Sequence, residues 1–203
     1  MVLELVRGAN LYKIIFDPKE AVDWDLDHDW IAEQLVSAVA YLHGLGFLHR
    51  DIKSANVLIA KIGQIVKLAN LGLAKMKVTL IDDPLNTSRG RGPRAIGTDN
   101  SSEANELSGM WSLGCTIAQL YNSITGPRPV WYLDQDNPKE DLRETFIKQW
   151  VPDMSNVPPF LEKNLKKCFL YNVSNPAEPP RITASELKKS FTLLNKSIHN
   201  QSQ

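Results

Sequence analysis

The stretch His49-Arg-Asp-Ile-Lys-Ser-Ala-Asn56 decides how this sequence is interpreted. It is a run of polar side chains between two apolar patterns. Before it, apolar residues recur at spacings of three and four from about Asp27 to His43, which predicts a helix. After it, the segments Val57-Leu-Ile59 and Ile65-Val-Lys-Leu68 predict two short strands, and Gly63 predicts the turn that joins them. The polar run is therefore a loop held between a helix and a strand pair.

The chain opens with an apolar segment, Met1-Val-Leu-Glu-Leu-Val6, which predicts a short buried strand. Arg7-Gly-Ala-Asn10 follows as a predicted turn, and Leu11 to Phe16 is another short apolar segment. Asp25 or Asp27 can cap the helix that comes next.

Helical patterns dominate the second half of the chain. They cover about 109–122 and 138–150, resume near Pro158, and end in a helix that opens with the capping box Thr183-Ala-Ser-Glu186. Between residues 82 and 105 the apolar pattern gives way to polar residues, glycine and proline, which predicts a long loop. The predicted class is α+β, mostly helical, with a few short strands.

Composition excludes several classes of protein. The chain is 43% hydrophobic and 23% charged, as in a soluble globular protein, and its formal net charge is zero. We therefore expect no general affinity for nucleic acid or for a membrane surface. The N-terminus lacks the pattern of a signal peptide, so a cytoplasmic location is expected, with the nucleus as the alternative. Cys115 and Cys168 each lie in an apolar helical pattern and are expected to be buried free thiols.

The quoted stretch resembles the catalytic loop of eukaryotic protein kinases, H-R-D-x-K-x-x-N, in its Ser/Thr form. The resemblance implies that Asp51 orients and deprotonates the attacking hydroxyl and that Lys53 places positive charge near the transferred phosphate. It implies that Asn56 offers a neutral oxygen to Mg²⁺, and that ATP and Mg²⁺ are the cofactors. His49 and Arg50 complete the motif as structural and regulatory positions. The fold implied is that of the C-terminal kinase lobe, with its strands at the cleft.

The segment from Val66 to Lys75 resembles the family's metal-binding strand and turn, which normally ends in Asp-Phe-Gly. Asn70 stands in the place of the aspartate and Leu71 in the place of the phenylalanine. An amide offers Mg²⁺ only a dipole, so we expect a rate loss of about a thousandfold, on the order of 4 kcal/mol of barrier. Leu71 is expected to fill an apolar slot.

The N-terminal segment resembles the hinge between the two kinase lobes. On that alignment Leu3 is the gatekeeper, the Glu4 carbonyl and the Val6 amide meet the adenine edge, and Leu58 floors the adenine pocket. Upstream of it the sequence holds no Gly-rich loop, β3 lysine or αC glutamate, so the N-terminal lobe is expected to be missing.

The resemblance continues downstream with changes. Thr98, after Gly97, resembles the start of the substrate-binding loop and would bond Asp51 and Lys53. Ser108 to Gly114 resembles the core-helix motif Asp-x-Trp-Ser-x-Gly, with Gly109 in the place of the aspartate that holds the catalytic loop.

Two further interactions are implied by the family. Arg181 matches an arginine that pairs with a glutamate, and Glu103 and Glu106 are both candidates for that partner. In many kinases the catalytic-loop arginine grips a phosphate on the activation loop, and Thr87 and Ser88 lie among arginines that such a phosphate would meet. The alternative is that these two residues belong to a solvated loop.

Two functions from different classes follow. Either the chain is a pseudokinase or truncated kinase that acts by protein binding, or it is an ATP-dependent Ser/Thr protein kinase whose N-terminal lobe lies outside this sequence. The altered Asn70 and Gly109 favour the first, whereas the intact catalytic loop favours the second. The kinase-like domain is expected over residues 1–197, with 82–105 as its activation-loop-like segment and 198–203 as a polar tail. The expected partner is a protein, and self-association through an exposed cleft is a further expectation.

Overall fold

A computed structural model of the chain describes residues 4–21, 23–76, 106–126, 152–170 and 181–201. Within these ranges the helices are α1 (Leu11–Phe16), α2 (Pro18–Ala21), α3 (His28–Gly44), α4 (Glu106–Asn122), α5 (Pro159–Lys166) and α6 (Ala184–Gln201). The strands are short: β1 (Gly8–Asn10), β2 (Phe47–Leu48), β3 (Val57–Ala60), β4 (Val66–Leu68) and β5 (Lys75–Met76). The described part of the chain is thus mostly helical with small sheets, as expected.

The ends of the long helices follow from local side-chain chemistry. Asp27 caps α3, since its carboxylate accepts a hydrogen bond from the Trp30 backbone N–H at 2.9 Å. Gly46, which follows α3, has a φ of +77°, a conformation that favours glycine. At α6 the capping box is formed: the Glu186 N–H donates to Thr183 Oγ1 at 3.2 Å, and the Thr183 N–H donates to the Glu186 carboxylate at 2.9 Å. Both predicted caps are confirmed.

The N-terminal strand lies elsewhere than predicted. Residues 4–6 are not in a strand, and Leu5 is 80% exposed. The strand is instead β1, inside the predicted turn, and it pairs antiparallel with β3 so that Gly8 lies opposite Ala60. A Cβ on Gly8 would lie 1.9 Å from the Ile59 carbonyl oxygen, so this pairing requires a glycine. The prediction of a buried strand over Met1–Val6 is therefore wrong for its described residues.

Antiparallel pairing in the order β1-β3-β4 forms one sheet, and β2 pairs with β5 in a second. Val57 and Ile59 are fully buried, so one face of β3 packs on the core. Helix α3 packs against α4, α6 and β4, and α6 also packs against α5. The 3-10 turn Lys167–Phe169 packs against α4. The β3–β4 pair, and with it the loop that precedes β3, is therefore packed against the helical core through α3.

Both thiols are buried and free, as predicted. Burial raises the pKa of Cys115 well above its usual range and that of Cys168 to about 12. None of the described helices has the length and apolar character needed to cross a bilayer. The predicted loop at 82–105 and the predicted helix at 138–150 both lie outside the described residues.

Candidate active site

Asp51 is fixed by a side chain that lies five residues further along the chain. The Asn56 amide nitrogen donates to the Asp51 carboxylate at 2.8 Å and to the Asp51 backbone carbonyl at 2.7 Å. Asn56 can do this because residues 54–56 form a 3-10 turn that folds it back toward the loop. Both residues are buried, at 7% exposure each. One amide therefore sets the position of both the main chain and the carboxylate of Asp51.

Lys53 lies on the same carboxylate. Its ammonium nitrogen is 2.8 Å from Asp51 Oδ2, while its side chain is 53% exposed. Because the Lys53 side chain is about half exposed, its ammonium group can contact an anion that approaches from solvent. The structure thus brings together three of the residues predicted from the motif: Asp51, Lys53 and Asn56.

His49 is almost completely buried beneath the loop and links it to Ala69, the residue that follows β4. The Asp51 N–H donates to His49 Nδ1 at 3.3 Å, so His49 carries its proton on Nε2, which donates to the Ala69 carbonyl at 2.9 Å. Burial lowers the pKa of His49 from its usual value, and the Ala69 carbonyl opposes this shift. Arg50, between His49 and Asp51 in the chain, is half-buried and has a φ of +68°, a strained conformation for this residue type.

The predicted metal ligands face each other. Asn70 has φ +65° and ψ +59°, a left-handed conformation that asparagine tolerates, and its amide nitrogen donates to Asn56 Oδ1 at 3.4 Å. The Ala69 N–H donates to the Asn56 carbonyl at 2.8 Å and keeps the two segments together. Mg²⁺ prefers charged oxygen ligands, whereas this pair offers two neutral amides, one of which donates to the other. The described residues do not fit the metal site that the resemblance implies.

Leu71 does not fill an apolar slot. It begins the 3-10 turn Leu71–Leu73 and is 54% exposed, and Leu73 is 42% exposed. The expectation that Leu71 fills an apolar slot is therefore wrong.

The residues predicted for nucleotide binding are placed in part. The Glu4 carboxylate lies 3.3 Å from the Lys67 ammonium, and Lys67 pairs with Leu58 across β3 and β4. Glu4 and Leu58 are thus brought to one face of the sheet. Val6 is half-buried, and Leu3 lies outside the described residues.

Arg181 is buried against the core helix α4. Its Nε donates to the Leu170 carbonyl at 2.7 Å, and its guanidinium carbon lies 5.3 Å from the centre of the Trp111 ring. Glu106 begins α4, and its side chain lies outside the description, so a pair between Arg181 and a glutamate stays a prediction. The other regulatory candidates, Thr87, Ser88, Thr98 and Glu103, lie outside the described residues as well.

Gly109 faces the loop that carries Asp51. A Cβ built on Gly109 would lie 3.7 Å from His43 Nε2 and 3.9 Å from Ile52 Cδ1, which are ordinary contact distances. The position of Gly109 is therefore close to the loop, and a side chain there would contact His43 and Ile52.

The hydrogen bonds that hold this site together were not predicted from the sequence. Asn56 was predicted as a metal ligand only, and Ala69 was not predicted to have a role. The signal available was Asn56 itself, a buried amide with two donors and an acceptor that must all find partners.

The sequence profile of the protein kinase domain matches residues 1–191. Among similar curated proteins, mitogen-activated protein kinase kinase kinase YODA of Arabidopsis thaliana is 29% identical over 192 residues, covering 91% of this chain and 20% of its own length. Mitogen-activated protein kinase kinase kinase 3 of the same plant is 33% identical, covering 93% of this chain and 32% of its own length. Mouse serine/threonine-protein kinase Nek9 is 34% identical over 58% of this chain and 12% of its own. The chain thus spans a third or less of these relatives.

Proposed function

Because the chain belongs to the protein kinase domain family, we propose that it keeps the scaffold of a Ser/Thr kinase and acts by binding proteins rather than by transferring phosphate. The observation that carries this proposal is the contact between Asn70 and Asn56. The family uses ATP and Mg²⁺, and these two positions are the ones that would hold the metal.

The contact weakens metal binding in two ways. Asn70 lacks the negative charge of an aspartate, and its amide nitrogen donates to the oxygen that Asn56 would offer the metal. Mg²⁺ bound at Asn56 Oδ1 would have to share this oxygen with the Asn70 N–H, and the ion would have no carboxylate from either residue. A thousandfold loss of rate corresponds to about 4 kcal/mol of barrier, which is the size expected for losing a charged metal ligand.

Gly109 supports the same proposal. The aspartate that the family carries at this position of the core helix would reach the catalytic loop, whereas Gly109 leaves the Ile52 side of that loop without a polar partner from this position. Small displacements of a catalytic carboxylate cost large factors in rate.

A second candidate, an ATP-dependent Ser/Thr protein kinase, is favoured by the order around Asp51. Its carboxylate is buried, bonded by Asn56 and paired with Lys53, which is the arrangement that orients an attacking hydroxyl. Glu4, Val6 and Leu58 would then meet the adenine. Phosphoryl transfer to a protein hydroxyl would follow if another part of a longer protein supplied the remaining phosphate contacts.

An assay of phosphate transfer tests the first candidate on the chain itself, and incorporation that depends on Asp51 is the result that would decide for the second. The purified 203-residue chain is incubated with radiolabelled ATP, Mg²⁺ and a mixed panel of Ser/Thr substrates, beside an Asp51→Ala variant as the blank. We expect equal, background incorporation in both samples. Incorporation by the wild type that disappears in Asp51→Ala would refute the proposal and establish the second candidate.

Self-association is part of the binding proposal. Leu71 and Leu73 lie on one 3-10 turn and are 54% and 42% exposed, and Leu5 is 80% exposed. We propose that the pair on the turn contributes to a contact with another copy of this chain. We expect sedimentation velocity to show association that rises with concentration and weakens in a Leu71→Ser, Leu73→Ser variant. A stable monomer across micromolar concentrations would contradict self-association.

A further inference from the structure

The turn between β3 and β4 carries an exposed apolar surface away from the candidate active site residues. Ile62 is 91% exposed, Ile65 is 40% exposed, and the neighbouring Trp30 on α3 is 43% exposed. The three are adjacent in space, because the Trp30 indole N–H donates to the Gly63 carbonyl at 3.1 Å. We call this surface the turn patch.

The turn patch is held in one shape. Gln64 donates to the Asp25 carbonyl at 2.7 Å and accepts from the Asp27 N–H at 2.9 Å, and Gln34 donates to the Gln64 carbonyl at 3.0 Å. Gly63 and Gln64 both have positive φ, which fixes the path of the backbone. A preformed surface loses little conformational entropy on binding, so such apolar side chains are well suited to receive a partner.

Carboxylates line one side of the turn patch. Asp23, Asp25 and Asp27 stand at alternate positions of the segment that Gln64 holds, and all three are exposed. Lys61, at the start of the turn, lies 3.4 Å from Asp23 and neutralises part of this charge. The surface is therefore apolar in its centre and negative along its edge.

We propose that the turn patch is a docking site for an extended peptide segment of another protein, one that combines large apolar side chains with lysine or arginine. The apolar side chains would cover Ile62, Ile65 and Trp30, while the basic ones would meet the aspartates. Charge complementarity selects this partner, because nucleic acid and anionic lipid would be repelled by the same edge. The proposal stands apart from the proposed function, since a docking surface serves a catalyst and a binding protein equally.

Three labelled nine-residue peptides test the proposal on the full chain by fluorescence anisotropy. The first combines arginine and leucine, the second arginine and serine, and the third glutamate and leucine. We expect binding of the first alone, weakening as salt is raised. Ile62→Ser should weaken it about tenfold, the effect of losing one buried isoleucine. Asp25→Asn should weaken it about two- to fivefold, the range of a surface charge pair.

The controls separate recognition from folding. Ile124→Ser removes an isoleucine that is 58% exposed on another turn, and Glu162→Gln removes a carboxylate from α5; neither should change peptide binding. Lys61→Gln removes the cation beside Asp23, so the edge of the turn patch becomes more negative. Binding of the arginine and leucine peptide should then become stronger, and a purely structural role of the turn does not predict this increase.

Three outcomes would overturn the proposal. One is equal binding of the glutamate and leucine peptide. Another is binding by Ile62→Ser that matches the wild type. The third is that the wild type binds no peptide and that Ile62→Ser loses self-association. This result would assign the turn patch to a contact between copies of this chain.

Discussion

Asn56→Ala tests how the candidate active site is held together. In the structure one amide nitrogen donates to two oxygens of Asp51, the backbone carbonyl at 2.7 Å and the carboxylate at 2.8 Å. The substitution removes both hydrogen bonds, together with the longer one that Asn56 Oδ1 accepts from Asn70 at 3.4 Å. It leaves a buried carbonyl and a nearly buried carboxylate without this donor. It therefore disturbs the fold at the residue on which the chemistry would depend.

The magnitude follows from those two bonds. A hydrogen bond to a charged group contributes about 1.5–3 kcal/mol, and an unsatisfied buried carbonyl costs about 1–3 kcal/mol. Because the ammonium of Lys53 remains on the carboxylate, we expect the lower part of this range, about 3 kcal/mol in total. Asn164→Ala is the matched control: its amide donates a single neutral bond to Ser190 at 2.9 Å, so about 1 kcal/mol is expected.

Urea unfolding of the wild type and both variants measures this difference as a change in midpoint at constant slope. Asn56→Ala should lose clearly more free energy of unfolding than Asn164→Ala. Equal losses, or a smaller loss in Asn56→Ala, would show that Asn56 does not hold Asp51 in the way the structure indicates.

Two further predictions concern pH and packing. Because burial lowers the pKa of His49 below 6.5, the folded state disfavours the protonated form of this side chain. The stability that neutral His49 contributes is therefore complete above that pH and is lost as the pH falls. In thermal unfolding, His49→Gln should reduce the fall in melting temperature between about pH 7.5 and about pH 5.5. His49→Gln with a decline as steep as the wild type would contradict this. Gly114→Ala should destabilise by about 1–3 kcal/mol, since its Cβ would lie 2.7 Å from Phe169 Cζ and 2.8 Å from Cys168 Cβ. Gly44→Ala should stabilise the fold by about 0.5–1 kcal/mol, because a Cβ at this position meets open space. Chemical denaturation measures both changes in the free energy of unfolding, and changes of the same sign for the two glycines would refute the packing argument.

Features that depend on neighbouring residues in the chain were predicted well. The cap of α3 by Asp27 and the reciprocal bonds between Thr183 and Glu186 each involve side chains three positions apart from their partners. Their geometry is fixed by the first turn of a helix, so the sequence pattern alone is enough.

Features that depend on distant residues were predicted poorly. The true first strand centres on a turn-like segment because Gly8 lets the backbone approach Ile59, more than fifty residues away. Gln64 was overlooked for the same reason, since it bonds Asp25 and Asp27 across the gap between the turn and α3. Leu71 was expected to be buried but is 54% exposed, because burial of a side chain depends on which distant residues pack against it.

The candidate site was predicted in part. The motif predicted that Asp51, Lys53 and Asn56 belong together, and the structure places them within hydrogen-bonding distance. The motif gave no sign that Asn70 would donate to the oxygen of Asn56. That contact depends on the conformation of Asn70, which no spacing in the sequence specifies.

Thermal unfolding with millimolar ATP, with and without Mg²⁺, tests most directly whether Asn70 prevents metal binding, and it is done for the wild type and for Asn70→Asp. We expect Mg²⁺ to add no stabilisation to the wild type, because Asn70 and Asn56 offer two neutral amides bonded to each other. In Asn70→Asp the restored carboxylate should make nucleotide stabilisation depend on Mg²⁺. A clear Mg²⁺-dependent shift of the unfolding temperature in the wild type would show that Asn56 and Asn70 hold the metal after all.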